Sequence, residues 1–283
     1  MNRYHRTEGV CLRRLDYSNT SQVATFLTRD RGCLSFLAKG LTRAPRKGIR
    51  CGFELLERYE LVYLTRRTGS LLLLAEQRMI ESFHGVREAL ERTLCAYYAA
   101  ELALNFTAEE DPCPRFYELM VESLRRFASG EALGLSVLLL EIGALKEHGS
   151  CPTFDECAEC GARLVGRAPV AFSPAHGGPL CRRCLGSAHA GPTCPVVRVA
   201  RRRLDLLHAL AGGPSGPLGR SSASARSPAG DPAAAMPPAE IVAVGRVLRF
   251  HMRWLLGKEL AMWKYVQDRH LSRTLGKIRR SAG

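Results

Sequence analysis

The 283 residues are 46% hydrophobic and 24% charged, which excludes a wholly disordered chain and suits two or three compact units. Forty-one Lys and Arg against 27 Asp and Glu leave a formal charge of +14, which points to a polyanionic partner, nucleic acid ahead of a membrane surface. No apolar run reaches the roughly 20 residues of a spanning helix, and the polar N-terminal stretch lacks the apolar core of a secretory signal, so the chain is expected in the cytoplasm. Residues 8–15, 22–28, 33–39, 53–63 and 70–79 then read as five short strands. The clearest signals are the Arg-Asp-Arg-Gly turn between the second and third and the period-two placing of Phe53, Leu55, Tyr59, Leu61 and Tyr63. Five strands within the first 80 residues predict a small closed β-barrel of the OB type. Single aromatics in such strands are core more often than base-stacking platforms, so Phe26, Phe36, Phe53, Tyr59 and Tyr63 are not assigned to ligand.

From residue 84 the pattern changes to helical period. Val86, Leu90, Leu94, Tyr97 and Leu102 form one expected stripe, and Phe116, Leu119, Met120, Leu124 and Phe127 a second. Residues 133–145 are apolar nearly all round, the composition of a helix surrounded by others. Residues 151–196 are rich in Cys, Gly and Pro with little periodicity, and residues 212–239 are of low complexity and expected to be a flexible segment. Helical pattern returns from about residue 240. The predicted architecture is therefore α+β and multidomain: a barrel over 1–80, the first part of a helical domain over 81–150, a cysteine module over 151–196, and C-terminal helices over 197–283 that complete the helical domain.

Charge is unevenly spread. Residues 1–80 carry 15 basic and 7 acidic side chains, residues 81–150 carry 6 and 12, and residues 201–283 carry 15 and 5. Two basic ends about an acidic middle suggest two surfaces for one polyanion. Lys39, Arg43, Arg46, Lys47 and Arg50 fall within 12 positions that hold no acid, a stretch suited to tracking a phosphate backbone. Arg246, Arg249 and Arg253 share one helix side and are either a second basic surface or a solvated face.

Eleven cysteines in a chain without an export signal argue for metal ligation and buried thiols over disulfides. Cys157-x-x-Cys160 and Cys181-x-x-Cys184 are two ligand turns with 20 residues between them. Four thiolates complete a tetrahedron around one Zn²⁺ and leave no position for substrate, which predicts a structural ion. Cys151 and Cys194 flank the set as lesser candidates. The sequence contains no phosphate-binding Gly-Lys loop, no dinucleotide fingerprint, no H-E-x-x-H and no G-x-S-x-G, and its eight histidines are scattered. No catalytic constellation is present, so no enzymatic activity is expected.

In this order the segments resemble the bacterial recombination mediator family RecO. The likeness is carried by residues 8–17, by Phe26-Leu-Thr-Arg-Asp-Arg-Gly32 with Ala38-Lys-Gly40, and by Glu81-Ser-Phe83. It continues through Ala171-Phe-Ser173 and Gly177-Gly178 between the cysteine pairs, and through Leu248-Arg-Phe-His-Met252 and Gly257-Lys-Glu-Leu260. Residues 212–239 have no counterpart in it. The resemblance implies an OB domain, a helical domain and an inserted zinc ribbon. It implies ATP-independent binding of single- and double-stranded DNA, annealing of complementary strands, and action with RecR, single-strand-binding protein and, indirectly, RecA at the nucleoid. Carried onto this chain, DNA contact falls on Lys39, Arg43, Arg46 and Lys47. Two other readings stay open: a zinc-ribbon regulator that recognises a specific sequence, and a zinc-dependent enzyme acting on nucleic acid.

Overall fold

The computed structural model describes residues 4–39, 52–64, 71–188, 195–212 and 236–266. The chain divides into two compact units, Met1–Leu133 and Gly134–Gly283.

The first unit is built on strands β1 (Tyr4–Ser18), β2 (Ser21–Thr28), β3 (Gly32–Lys39), β4 (Arg58–Leu64) and β5 (Leu72–Glu81). They close into a barrel in the order β1-β2-β3-β5-β4, with β4 returning to β1. The predicted OB-type barrel is present. One pairing is parallel, β3 with β5 through Phe36 and Leu37 opposite Leu72 and Leu73. Closure depends on β1, which is longer than the sequence pattern suggests: residues 4–10 pair with β4 and residues 9–18 with β2. Register shifts between Cys11 and Arg13 and between Asp16 and Ser18 bend it so that one strand serves both neighbours.

Inside, Phe26, Phe36, Phe53, Tyr59 and Tyr63 are all buried and meet edge-on, with the Phe26 and Phe53 rings 4.9 Å apart. None of the five reaches a ligand face. The fourth strand starts at Arg58, later than the alternation from Phe53 predicts. Leu56 adopts a φ of 67°, its N–H bonds the Cys11 carbonyl at 2.8 Å, and the Glu57 carbonyl accepts from Cys11 N–H at 3.0 Å. The chain thus turns against β1 before joining the sheet. The β2–β3 turn ends at Gly32, with φ of 61°, where an added Cβ would lie 2.2 Å from the Asp111 carbonyl oxygen.

A 3₁₀ turn (His84–Glu88) leads to α1 (Leu90–Phe106) and α2 (Pro114–Ser129). The second expected stripe holds at four of its five positions: Phe116, Met120, Leu124 and Phe127 are buried and Leu119 is half-buried. The first does not. Helix α1 buries Cys95, Ala96, Ala99, Leu102, Ala103 and Phe106, while Leu90 is 65% exposed and Tyr97 39%. The buried face mixes small side chains with Tyr98, Leu102 and Phe106, and Leu90 and Tyr97 turn outward. Arg92 ties the turn to the end of α2, donating to the carbonyls of Gly85 at 3.2 Å and Ala128 at 2.7 Å. Arg58 reaches Glu8, Glu81 and the Tyr117 hydroxyl, joining three strands to α2. Arg125 donates twice to Glu81 at 2.8 Å, and that contact holds the Glu81 carboxyl below the usual range.

The second unit contains α3 (Leu133–Glu147), β6 (Val170–Ser173), β7 (Gly178–Leu180), α4 (Arg182–Ala188), β8 (Val197–Val199), α5 (Arg201–Leu210), α6 (Pro238–Leu256) and α7 (Trp263–Val266). The small strands form a sheet in the order β7-β6-β8, which the irregular sequence of this block did not announce. Helix α3 is buried along most of its length, as its composition predicts, and carries one carboxylate inside, Glu141 at 0% exposure. Arg249 on α6 donates to it at 2.7 Å and lies 3.6 Å over the Trp263 ring. An alanine Cβ at Gly245 would come within 2.6 Å of that guanidinium, so the small residue leaves its space. Arg249 is therefore internal, and the expected Arg246–Arg249–Arg253 surface loses its middle member. His251 is buried on the same helix, where desolvation holds its imidazole below the usual range and Nε2 bonds the Ser150 carbonyl at 2.9 Å. No helix among the described residues is long and apolar enough to cross a membrane.

Removing one partner of a buried ion pair strands the other charge. Arg249→Ala is expected to cost about 3–5 kcal/mol in chemical denaturation. Replacing both partners, Glu141→Leu with Arg249→Met, should recover most of that loss. Arg253→Ala, on the exposed side of α6, should stay within about 0.5 kcal/mol of the parent.

Candidate metal centre and nucleic-acid interface

The four predicted cysteines converge within the second unit. The first pair sits on a turn in which Gly161 N–H bonds the Cys157 carbonyl at 2.8 Å and Cys157 N–H bonds the Ala162 carbonyl at 2.8 Å. The second pair spans the end of β7 and the start of α4, where Leu185 N–H bonds the Cys181 carbonyl at 2.9 Å. Ala158 N–H to the Pro179 carbonyl, at 2.9 Å, fastens one turn against the other. The sulfurs of Cys157, Cys160, Cys181 and Cys184 then lie within 4.8 Å of one another.

That spacing fits a tetrahedral thiolate-bound ion. A metal–sulfur bond of about 2.3 Å gives a sulfur–sulfur edge of about 3.8 Å, and the Cys160 and Cys181 sulfurs are 3.9 Å apart. Electrostatics lead to the same conclusion. Burial pushes the Cys157 thiol up, but the backbone N–H groups of Cys181 and Cys160 outweigh it and bring it down to about 6. Cys184 is pushed up to about 12, chiefly by its hydrogen bond with Cys181. Four thiols this close cannot all ionise without a cation among them, and a divalent ion removes the conflict. Arg183, beside the Cys160 and Cys184 sulfurs, offsets the remaining negative charge; the sequence reading did not single it out. The apolar packing here is small, Leu180 with Leu164 and Leu185, so the sulfurs stand where a larger core would. All four coordinating positions are filled by protein, which suits a structural role and leaves none for a substrate. Cys151 is outside the set, and Cys194 lies outside the described residues.

Of the four residues expected to contact DNA, Lys39 is described. It is exposed at the end of β3. Arg43, Arg46 and Lys47 lie outside the described residues. The barrel's register shows what surrounds Lys39: it pairs with Ser21, which pairs with Ser18, so the tip of the β1–β2 hairpin stands beside it. That hairpin exposes Arg13 and Tyr17, the latter by 71%, while Arg14 is held by the Phe53 carbonyl and by Glu54. An exposed aromatic on a hairpin that also carries an exposed arginine, with a lysine on the neighbouring strand, is a set that can stack an unpaired base and hold phosphates. The signal was the failure of apolar alternation after Leu12, where β1 leaves the core but continues as a strand.

Comparison with known proteins bears on both features. The model of the family described as "Recombination protein O N terminal" matches residues 1–83, and that of "Recombination protein O C terminal" matches residues 87–263. The chain belongs to the RecO family. Among its relatives, the DNA repair protein RecO of Anaeromyxobacter sp. (strain Fw109-5) is 37% identical over 194 residues, 68% of this chain and 74% of that one. RecO of Myxococcus xanthus is 31% identical over 203 residues, covering 72% of this chain and 81% of its own. RecO of Bacillus pumilus is 30% identical over the same length, covering 72% and 76%. The matched segments include the barrel with Lys39 and all four clustered cysteines, so the resemblance drawn from the residues holds at the level of the family.

Cys181→Ala takes away one corner of the tetrahedron. The expected outcome is loss of bound metal, measured by elemental analysis, together with a lower melting temperature. Cys151→Ala should change neither by comparison. Metal retained in full by the Cys181 variant would place the ion elsewhere.

Proposed function

We propose that this chain is a recombination mediator in DNA repair that works by binding and not by catalysis. In this reading it binds single- and double-stranded DNA without strong sequence preference and anneals complementary strands. Together with RecR it assists the loading of RecA onto DNA coated by single-strand-binding protein. The observation that carries the reading is a closed OB-type barrel with exposed Lys39 at the head of an acid-free basic stretch, in a chain of the RecO family. Lys39, Arg43, Arg46 and Lys47 contact phosphates, and the net charge of +14 raises the encounter rate with any polyanion.

The four cysteines hold one Zn²⁺, chosen over other ions by the all-thiolate tetrahedral set. When bound it supplies cross-linking and no bond chemistry. Residues 1–80 act as the nucleic-acid-binding domain, 151–196 as the zinc module, and 81–150 with 197–283 as one helical domain containing the segment 212–239. The workplace is the nucleoid in the cytoplasm.

Two measurements test this. Neutralising Arg43, Arg46 and Lys47 together should leave the melting temperature intact and reduce the slope of log affinity against log salt by about 2 on single strands, at roughly 0.7 per phosphate contact. An unchanged slope would remove the basic stretch from the interface. Annealing of complementary oligonucleotides coated with single-strand-binding protein, without ATP, should accelerate at low salt and fade as salt rises. Tight binding without annealing would contradict the mediator reading.

A further inference from the structure

A second cationic and aromatic surface lies wholly within the second unit, on the outer side of α6. Residues 246, 250, 253, 254 and 257 recur at the three- and four-residue spacing that places side chains on one side of a helix. Arg246 and Arg253 are exposed, Phe250 is half-buried, and Trp254 is 43% exposed. Pro195, Phe250, Arg253, Trp254 and Gly257 line an open groove of about 580 Å³. Gly257 ends the helix with a left-handed φ of 64° and puts no side chain over the groove's end.

The two tryptophans of the chain differ in a telling way. Trp263 has its ring covered by the Arg249 guanidinium at 3.6 Å. Trp254 has no ring or guanidinium over it among the described residues, although it is the largest apolar surface on this side of the helix. Beside it, Arg253 holds Glu259 at 2.8 Å, with the two side chains 66% and 58% exposed. An exposed pair of this kind contributes little and is readily exchanged for a phosphate. The occupant is indicated by charge: the exposed Arg246, Arg253 and Lys258 against Glu259 leave this side and end of the helix cationic beside an exposed indole, which favours a polyanion with flat apolar groups over a basic peptide.

We propose that this strip is a second contact for single-stranded nucleic acid, separate from the barrel, in which Trp254 stacks an unpaired base and Arg246 and Arg253 take the flanking phosphates. The proposal rests on the DNA-binding reading above and adds a specific demand to it. A base held in a duplex cannot offer its face, so the contact discriminates single from double strands.

Trp263→Phe leaves Trp254 as the sole indole. Its emission should be quenched by oligo-dT at low salt, saturating with the anisotropy of the labelled oligonucleotide. Should that variant fold poorly, the difference between the parent chain and Trp254→Phe reports the same ring. Trp254→Ala should keep its melting temperature, lose about five- to tenfold in affinity for oligo-dT and stay within about twofold on duplex, with Trp254→Phe retaining most of the single-strand affinity. Oligo-dT binding with no quenching and no loss in Trp254→Ala would overturn this site and leave DNA binding by the barrel standing. A parent chain that binds no DNA would overturn both. Trp254 emission that changes with protein concentration alone, alongside self-association, would assign the groove to a second copy of the chain and overturn the proposal.

Discussion

The first unit depends on one strand being hydrogen-bonded on both edges. β1 gives its first half to β4 and its second half to β2, and without that double use the five strands would be an open sheet with two unpaired edges. Its bends reconcile two registers within 15 residues. Because side chains alternate with period two, a slip of one position in either pairing would turn Phe26 or Tyr59 out of the barrel. The same register brings the exposed end of β3 against the hairpin that carries Arg13 and Tyr17. Closing the core and assembling the cationic rim are thus one geometric event.

The second unit solves its problem of cohesion twice. The cysteine block has few apolar side chains, and its four clustered sulfurs can all ionise only with a cation among them. Around α3 the reverse holds, with abundant apolar surface and a single buried carboxylate that must be answered. Arg249 answers it and is itself kept in place by the missing side chain at Gly245 and by the Trp263 ring.

What the sequence made legible follows from how local each signal was. The barrel could be read from alternation and from one Arg-Asp-Arg-Gly turn, and the thiol cluster from two short spacings, since both patterns lie within a few neighbouring residues. The start of β4 could not, because Phe53 and Leu55 alternate like strand residues while Leu56 takes a left-handed turn that only contact with Cys11 enforces. The buried side of α1 is legible only in part, because leucines dominate a hydrophobic count, whereas packing buries Cys95, Ala96, Ala99 and Ala103 beside Tyr98, Leu102 and Phe106. Arg249 looked like its exposed neighbours Arg246 and Arg253 because its partner lies in a distant helix. Arg13 and Tyr17 were hidden for a related reason: a strand that has left the core no longer alternates.

That distant partnership also orders events during synthesis. Glu141 is translated 108 residues before Arg249. At common elongation rates the interval is roughly 5–20 s. Throughout it the apolar α3 carries a carboxylate that still lacks its arginine, while the barrel's last strand, ending at Glu81, has already been made and the cysteine pairs emerge soon after α3. The barrel and the thiol cluster can therefore mature on the ribosome, whereas the Glu141–Arg249 pair closes only once α6 has been made, and a chain interrupted between the two would present to chaperones and proteases a buried-type carboxylate without its arginine.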